Sequence, residues 1–386
     1  MLSVPGFVSA HSHAFQRALR GHAERSVTTS GTFWSWRHEM YGVARALTPE
    51  SIYAWSLRAY RELASAGVVA VGEFHYVHHE ADGTPYGERT LLADTVIRAA
   101  LDAGLHIALL RVAYARGGLG VPLEDAQVRF GDASVDLVLA DVDTLCARWR
   151  DDPRVRIGVA PHSVRAVPVE WLRAIGEHAR VHALPLHIHV AEQQAEIDAC
   201  VQEHGRRPVE LLADLDMLND RFCAVHATLL ADHEARLLGA ARANVCACPT
   251  TERDLGDGLA DLAALRRAGV RLCVGADSHV LSDHIEEVRA LETHERLRLR
   301  RRITFEPDEG RTLAEQLLLE GSVNGARALG WNVRAQGRTT TMRPRTRVCL
   351  DADPSLADVD DEHAPDALVF SGSRLRYETL DVDVRA

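Results

Sequence analysis

The stretch FVSAHSHAFQRALRG, residues 7–21, places two histidines, two residues apart, at the end of an apolar run. Alternate side chains of a β-strand point to the same face, so His11 and His13 are expected to point the same way. Two imidazoles at one strand end are a candidate metal-ligand pair. Two surface histidines would give the same pattern, and the rest of the chain has to decide between these interpretations.

Seven further short apolar segments follow, and stretches of helical periodicity separate them. The spacers 48–67 and 90–104 both end at a glycine, and Thr48-Pro49 fits a helix N-cap followed by proline at the first helical position. Strand–helix alternation repeated eight times predicts an α/β fold, a parallel TIM-type (β/α)8 barrel. The eight predicted strand segments are 7–13, 68–76, 106–114, 156–163, 185–192, 222–228, 243–250 and 271–278.

Each predicted strand begins apolar and turns polar toward its carboxyl end, where barrels of this type carry their active sites. A single histidine at a strand end is more often a surface or capped residue than a ligand. Six strand ends that carry His, Asp or Glu together indicate a functional site. These polar strand-end residues are His11, His13, Glu73 to Tyr76, His162, His189, Glu192, His226, Thr250 and Asp277.

Four of these residues form an N3O ligand set with room for a water, as in catalytic zinc sites: His11, His13, His189 and Asp277. His187 shares a strand face with His189. We favour His189 because it is nearer the strand end and three residues from Glu192, which leaves His187 as a core histidine. His226 is either a further ligand or a group that polarises the substrate.

An open metal site lowers the pKa of a bound water toward about 7. Asp277 can accept the proton of that water, and Glu192 can carry a proton to a leaving nitrogen. This combination suits hydrolytic attack on an sp2 carbon that bears nitrogen.

Composition excludes several other classes of protein. A net charge of −11 argues against nonspecific nucleic-acid binding, and no apolar run reaches the roughly 18 residues of a membrane helix. Seven irregularly spaced cysteines and the absence of a secretory signal favour a reduced, cytoplasmic protein. All 44 basic residues are arginine, so no lysine can form a Schiff base or a carbamylated metal bridge.

The pattern of HxH on the first strand, His on the fifth and sixth and Asp on the eighth resembles the amidohydrolase superfamily. A chain without lysine resembles its one-metal deaminase branch, which lacks the carbamylated lysine. Within that branch the chain is similar to the formimidoylglutamate deiminase family, in consistent order from residue 5 to about residue 330. The segments that carry this resemblance are HSHAFQRALRG (11–21), TFWSWRHEMY (32–41), GEFHYVHH (72–79), APHSVRAV (160–167), HIHVAEQ (187–193), CPTTERDLGDG (248–258) and GADSHV (275–280).

The resemblance implies conversion of N-formimino-L-glutamate to N-formyl-L-glutamate and ammonia in histidine degradation, by a homodimer with one Zn²⁺ per subunit. Fe²⁺ can share such ligands. It implies four metal ligands, His11, His13, His189 and Asp277, and catalytic roles for Glu192, His226 and Asp277. The substrate contacts that it implies are Gln16, Arg37, Tyr76, His162 and Arg165.

The chemistry of the substrate agrees with this assignment, because a dicarboxylate requires two planar cations. Arg37, in the long loop after the first strand, and Arg165, beyond the fourth, could supply them. The alternative for Arg37 is a loop salt bridge. Trp34 and Trp36 are expected to pack beneath the loop, and Arg17 is expected at a solvated helix start.

Relative to this family, the chain begins almost at its first strand. We therefore expect a barrel over residues 1–330 and a small, truncated β-subdomain whose remnant is 331–386. Two alternatives stay open, namely a related deaminase for another amidine or a purine-like ring, and a truncated inactive homologue. A neutral heterocycle would leave Arg37 and Arg165 without an obvious purpose.

Overall fold

Eight parallel strands in chain order make up the central sheet of the computed structural model, which describes residues 2–22, 33–331, 334–336, 339–341, 345–373 and 375–380. These strands are β2 (Phe7–Ser12), β3 (Val68–His75), β4 (His106–Ala113), β5 (Val155–Pro161), β6 (Leu186–Val190), β7 (Phe222–His226), β8 (Asn244–Ala247) and β9 (Arg271–Val274). Five further strands lie outside the barrel, namely β1 (Leu2–Pro5), β10 (Arg334–Gln336), β11 (Thr339–Thr341), β12 (Arg345–Cys349) and β13 (Arg376–Leu380).

The sheet closes on itself where β2 meets the end of β9. A parallel bridge joins Ser12 and Asp277, the His13 amide donates to the Asp277 carbonyl at 2.8 Å, and the Asp277 amide donates to the His11 carbonyl at 3.1 Å. The predicted TIM-type (β/α)8 barrel is therefore confirmed. Seven of the eight predicted segments contain their strand in full, and β5 begins one residue before its segment, at Val155.

The helices surround this barrel and begin where the sequence supplies caps. Thr48 and Ser51 form a capping box at the start of the second helix, with Pro49 in its first turn. The α-helices are α1 (Phe33–Ala46), α2 (Pro49–Ser65), α3 (Leu91–Asp102), α4 (Val135–Trp149), α5 (Val169–His182), α6 (Gln194–His204), α7 (Pro208–Asp214), α8 (Asp232–Ala240), α9 (Pro249–Leu255), α10 (Leu262–Arg267), α11 (His284–Leu299), α12 (Leu313–Leu319), α13 (Gly325–Ala328) and α14 (Ala364–Phe370). Shorter helical turns are Ala14–Leu19, Asp125–Arg129, Leu350–Ala352 and Pro354–Leu356, and a π-helix spans Glu320–Asn324.

The segment that contains Arg37 forms helix α1, whereas the sequence predicted a long loop there. Met40 and Ala44, four residues apart, are buried, so the segment has one apolar helical face, which packs against the turns Ala14–Leu19 and Asp125–Arg129 at the barrel mouth. Arg37 is thereby held on a helix that faces the barrel mouth.

The barrel strands are buried on both faces, as expected for a parallel sheet covered by helices. At the amino ends of the strands, Val323, Ala326 and Leu329 pack against Val8 and Val69 and close the bottom of the barrel. The candidate site residues at the carboxyl ends consequently stand on a rigid, close-packed support.

A small antiparallel sheet has the order β1–β12–β13, and β10 and β11 form a separate hairpin. Strand β1, from the range predicted for the barrel, pairs with β12, and β12 pairs in turn with β13. Both β12 and β13 come from the range predicted for the β-subdomain. The Thr346 hydroxyl donates to the Gly67 carbonyl at 2.8 Å and ties the sheet to the barrel. Over the described ranges, none of the helices combines the length and apolar character needed to cross a membrane.

Candidate active site

The structure brings the four predicted metal ligands together at the carboxyl ends of the strands. The Nε2 atom of His11 lies 3.2 Å from that of His13 and 3.1 Å from that of His189. The Oδ1 atom of Asp277 lies 3.2 Å from His11 Nε2 and 3.3 Å from His13 Nε2. Ligand atoms bound at about 2.0–2.2 Å in a tetrahedral zinc site are about 3.3–3.6 Å apart, close to these separations.

The tautomer of His13 tests whether these residues fit a metal ion. Its Nδ1 donates to the Phe74 carbonyl at 3.0 Å, which leaves the Nε2 lone pair directed at the cluster. Lone pairs of three imidazoles that face one another at such short range repel, and a shared cation removes that repulsion. The donor set therefore fits a divalent metal of the kind that imidazole and carboxylate bind together.

His226 belongs to the same cluster. Ligand atoms of four buried residues lie within 4.8 Å of one another, and these are His11, His189, His226 and Asp277. His226 can thus either reach the metal or face a substrate beside it, the two roles that the sequence analysis left open.

The backbone is strained at these residues. Asp277 has φ 45° and His226 has φ 67°, in the left-handed region that non-glycine residues seldom adopt. Ala191 and His279, which flank the site, have φ 53° and 56°. Such strain persists where surrounding packing imposes it, and it is typical of functional sites.

Gly275 lets β9 approach β2 closely behind the site. A Cβ atom at this position would lie 2.7 Å from both the Cβ and the carbonyl oxygen of His11. Any side chain here would displace His11 from the cluster.

A buried hydrogen-bond network supports the turn that carries His13. Ser12 donates its hydroxyl proton to Glu73 at 2.7 Å and accepts from the His279 ring at 2.8 Å, while the Ala14 amide donates to Glu73 at 2.9 Å. Burial raises the pKa of Glu73 to about 7, against the effect of the hydrogen bonds from Ser12 and Ala14. Glu73 thus braces the first strand rather than lining the pocket.

Two carboxylates flank His226. Its Nδ1 donates to Glu252 at 3.3 Å, and its Nε2 lies 3.8 Å from Glu192. Burial alone would lower the pKa of His226, but Glu192 and Glu252 outweigh it and raise that pKa well above the usual value. Glu252 was not predicted from the sequence. Its carboxylate accepts a hydrogen bond from the amide of Cys248, four residues earlier, at 2.8 Å, and this spacing was the one signal that could have pointed to it.

The pKa values of Asp277 and Glu192 are shifted in opposite directions from their usual values. Burial opposes ionisation of Asp277, but the hydrogen bond and charge of His11 and the charge of His13 hold its pKa below the usual range. Burial raises the pKa of Glu192, although His226 opposes this. Without a bound metal, Asp277 favours the carboxylate and Glu192 retains a proton to higher pH than usual.

The five predicted substrate contacts line one pocket together with three of the four candidate metal ligands, His13, His189 and Asp277. The five contacts are Gln16, Arg37, Tyr76, His162 and Arg165. Sequence reasoning missed six further lining residues, namely Trp36, Met40, Tyr41, Tyr114, Phe130 and Leu255. Trp36 was expected only to pack beneath a loop, and the side chain of Trp34 lies outside the described residues.

Gln127 links the two arginine-bearing sides of the pocket. Its Nε2 donates to the hydroxyls of Tyr41 at 3.0 Å and Tyr114 at 3.1 Å. Arg37 donates to the Tyr41 hydroxyl at 2.6 Å. Burial lowers the pKa of Arg165, but Tyr114, Glu196 and Tyr41 together outweigh it and raise that pKa, so Arg165 stays charged.

Two residues that the sequence analysis weighed have other contacts. His187 is buried and its ring is 2.9 Å from the Ala328 carbonyl, as expected for a core histidine. Arg17 pairs with Glu62 at 2.9 Å and does not line the pocket.

A model of the amidohydrolase family matches residues 2–334. This chain belongs to the amidohydrolase family. It is 36% identical to a formimidoylglutamate deiminase of Pseudomonas aeruginosa. The alignment spans 378 residues and covers 96% of this chain and 81% of that protein. The chain is accordingly a hydrolase that acts on carbon–nitrogen bonds, in a superfamily whose members depend on a metal.

Solved structures show the same architecture. An amidohydrolase from Brucella melitensis aligns with TM-score 0.88 and 34% identity, over 98% of this chain and 83% of that one. An adenosine deaminase from Xanthomonas campestris with bound zinc aligns with TM-score 0.77 and 24% identity, over 96% and 77% of the two chains. The second similarity concerns the fold alone.

Proposed function

We propose that this amidohydrolase is a formimidoylglutamate deiminase, which hydrolyses N-formimino-L-glutamate to N-formyl-L-glutamate and ammonia in histidine degradation. The observation that carries the proposal is that Arg37 and Arg165, from separate elements, line the same pocket as three of the four candidate metal ligands. A glutamate derivative has two carboxylates, and guanidinium groups bind carboxylates with matched planar geometry. The similarity to the Pseudomonas enzyme supports the same assignment.

His11, His13, His189 and Asp277 would hold one Zn²⁺ per subunit, and Fe²⁺ suits the same N3O donors. A metal bound there supplies Lewis acidity that makes water a nucleophile near neutral pH.

Substrate binding falls to the polar groups around the pocket. Arg37 and Arg165 would take one carboxylate each. Burial and the charge of Arg165 lower the pKa of His162 well below its usual value, so His162 meets the substrate as a neutral imidazole. Gln16 donates to the Tyr76 hydroxyl at 2.8 Å, which fixes that phenol at the pocket wall.

Proton movement falls to Asp277 and Glu192, with His226 beside them. Asp277, held as a carboxylate, accepts the proton of the attacking water as oxygen bonds to the formimino carbon. The formimino group is a strong base and enters protonated, so attack leaves an NH2 group on the tetrahedral carbon. Glu192 then gives a proton to this NH2 group as the carbon–nitrogen bond breaks and ammonia leaves. The hydroxyl proton on that carbon passes to the Glu192 carboxylate as the formyl carbonyl forms. His226 lines the same pocket, with its Nε2 3.8 Å from Glu192, and would stabilise negative charge that develops on the substrate there.

Ammonia release from N-formimino-L-glutamate by the zinc-loaded protein tests the proposal, with N-formiminoglycine and adenosine as comparison substrates. We expect rapid turnover of the glutamate compound alone. Equal turnover of N-formiminoglycine would remove the dicarboxylate argument, and preferential turnover of adenosine would overturn the proposed substrate.

A further inference from the structure

A second cluster of metal-binding side chains lies on the outer helical layer. Asp143 on α4 and His178 and His182 on α5 present ligand atoms within 4.8 Å of one another. His178 and His182 are four residues apart and therefore share one helix face. Their ring centroids are 4.3 Å apart with an interplanar angle of 34°. None of the three residues lines the catalytic pocket.

His178 is the anchored member of this cluster. Its side chain is only 12% exposed, and its Nε2 lies 3.1 Å from Asp143 Oδ1. That Nε2 atom is buried, yet no atom in the described part of the chain meets hydrogen-bond geometry with it. A nitrogen and a carboxylate oxygen that are close but off the line of a hydrogen bond suit two ligands of one cation.

The other two members are open to solvent. The Asp143 side chain is 58% exposed, and His182 is exposed at the last residue of α5. Both can adjust their rotamers at low cost when an ion enters. The carboxyl end of a helix also carries partial negative charge, which favours a cation beside His182.

We propose that Asp143, His178 and His182 bind a second divalent transition-metal ion, separate from the barrel centre. Two imidazoles and one carboxylate select Zn²⁺, Ni²⁺ or Cu²⁺ over Mg²⁺ and Ca²⁺, which require oxygen ligands. The ion would link α4 to α5, and water would complete its coordination.

Equilibrium dialysis against Zn²⁺, with bound metal measured per subunit, tests this site. The reference protein carries Cys146→Ser and Cys349→Ser, because these two cysteines are partly exposed and thiols bind zinc. Every variant is made in this reference. The exposed position of His182 makes His182→Ala the safest variant for folding, and Asp143→Asn is the second. His233→Ala is the matched control, since His233 is a surface histidine that pairs with Glu210 at 2.8 Å and belongs to none of the candidate metal clusters among the described residues.

We expect the reference protein and His233→Ala to retain one more Zn²⁺ per subunit than His182→Ala, and Asp143→Asn to bind that ion more weakly. Added Zn²⁺ should also raise the melting temperature of the reference protein by more than that of His182→Ala, which keeps only the barrel centre. Equal zinc content and equal thermal shifts in the reference and His182→Ala would overturn the proposal. Because the comparison is a difference, the outcome does not depend on the barrel metal or on turnover.

Discussion

At the scale of single residues, Glu192 is the test of the proposed chemistry. Glu192→Gln removes the proton donor but keeps the shape of the side chain. We expect kcat for N-formimino-L-glutamate to fall by about 10²–10⁴-fold, the usual contribution of a general acid or base. Metal content measured on the same sample controls for loss of the ion, and near-normal turnover with the metal bound would rule out this role.

Gln127 is the test of how the two arginines are positioned. Gln127→Met has a similar volume but cannot donate to the hydroxyls of Tyr41 and Tyr114. We expect KM for N-formimino-L-glutamate to rise by roughly tenfold, equivalent to about 1.4 kcal/mol, with a smaller change in kcat. Unchanged KM in a folded variant would show that Arg37 and Arg165 do not depend on this link.

The residue scale is also where the sequence was least informative. His11, His13, His189 and Asp277 were predicted from strand-end positions, and the structure places their ligand atoms within one cluster. Gln127 and Glu252 act through contacts with residues that are far away in the chain or on another element. No local periodicity marks a buried hydrogen bond of that kind.

At the scale of elements, α9 and α11 are joined by one buried carboxyl group. Glu287 on α11 accepts hydrogen bonds from the amide of Thr250, at 3.0 Å, and from its hydroxyl. Burial raises the pKa of Glu287 from 4.5 to about 8, although these hydrogen bonds oppose the shift. The folded state therefore holds a proton that the unfolded chain releases.

This difference predicts how stability depends on pH. Between pH 4.5 and about 8 the folded state binds more protons at Glu287 than the unfolded state, so stability is full below this window and declines as pH rises through it. The slope from one such group is at most about 1.4 kcal/mol per pH unit. We expect Glu287→Gln to flatten the pH dependence of the unfolding free energy, and an unchanged profile would contradict the buried-proton interpretation.

Helix α1 shows what the element scale adds to the sequence. Its segment carries Trp36, Arg37 and Tyr41 among polar residues, and we predicted a loop there. Packing of Met40 and Ala44 at the barrel mouth stabilises the helix, and that packing brings Trp36, Arg37 and Tyr41 to the pocket.

At the scale of the whole molecule, the segment that follows the eighth barrel strand closes the barrel bottom. Leu329 is fully buried against β2 and β3 residues at the end opposite the active site. We expect Leu329→Ala to reduce the free energy of unfolding by about 2–5 kcal/mol without changing the metal ligands. The control is Leu297→Ala, since Leu297 is 80% exposed and its loss should cost less than about 0.5 kcal/mol.

A comparison of melting temperatures for these two variants checks the prediction. Equal shifts would mean that the barrel bottom contributes no more to stability than a surface position does.

The homodimer and the cytoplasmic location stay predictions.

The sequence by itself determined the barrel and the end of it that carries function. Strand alternation placed His11 and His13 on one face, and eight apolar segments separated by helical spacers specified a parallel closed sheet. Both are local properties, readable within a few residues of chain.

Only the tertiary structure decided which side chains share the pocket and in what state. The left-handed backbone of Asp277 and His226, the close approach of Gly275 to His11 and the link through Gln127 all arise from contacts between distant parts of the chain. Their physical cause is that packing and burial impose backbone strain and shift pKa values only when the whole barrel has formed.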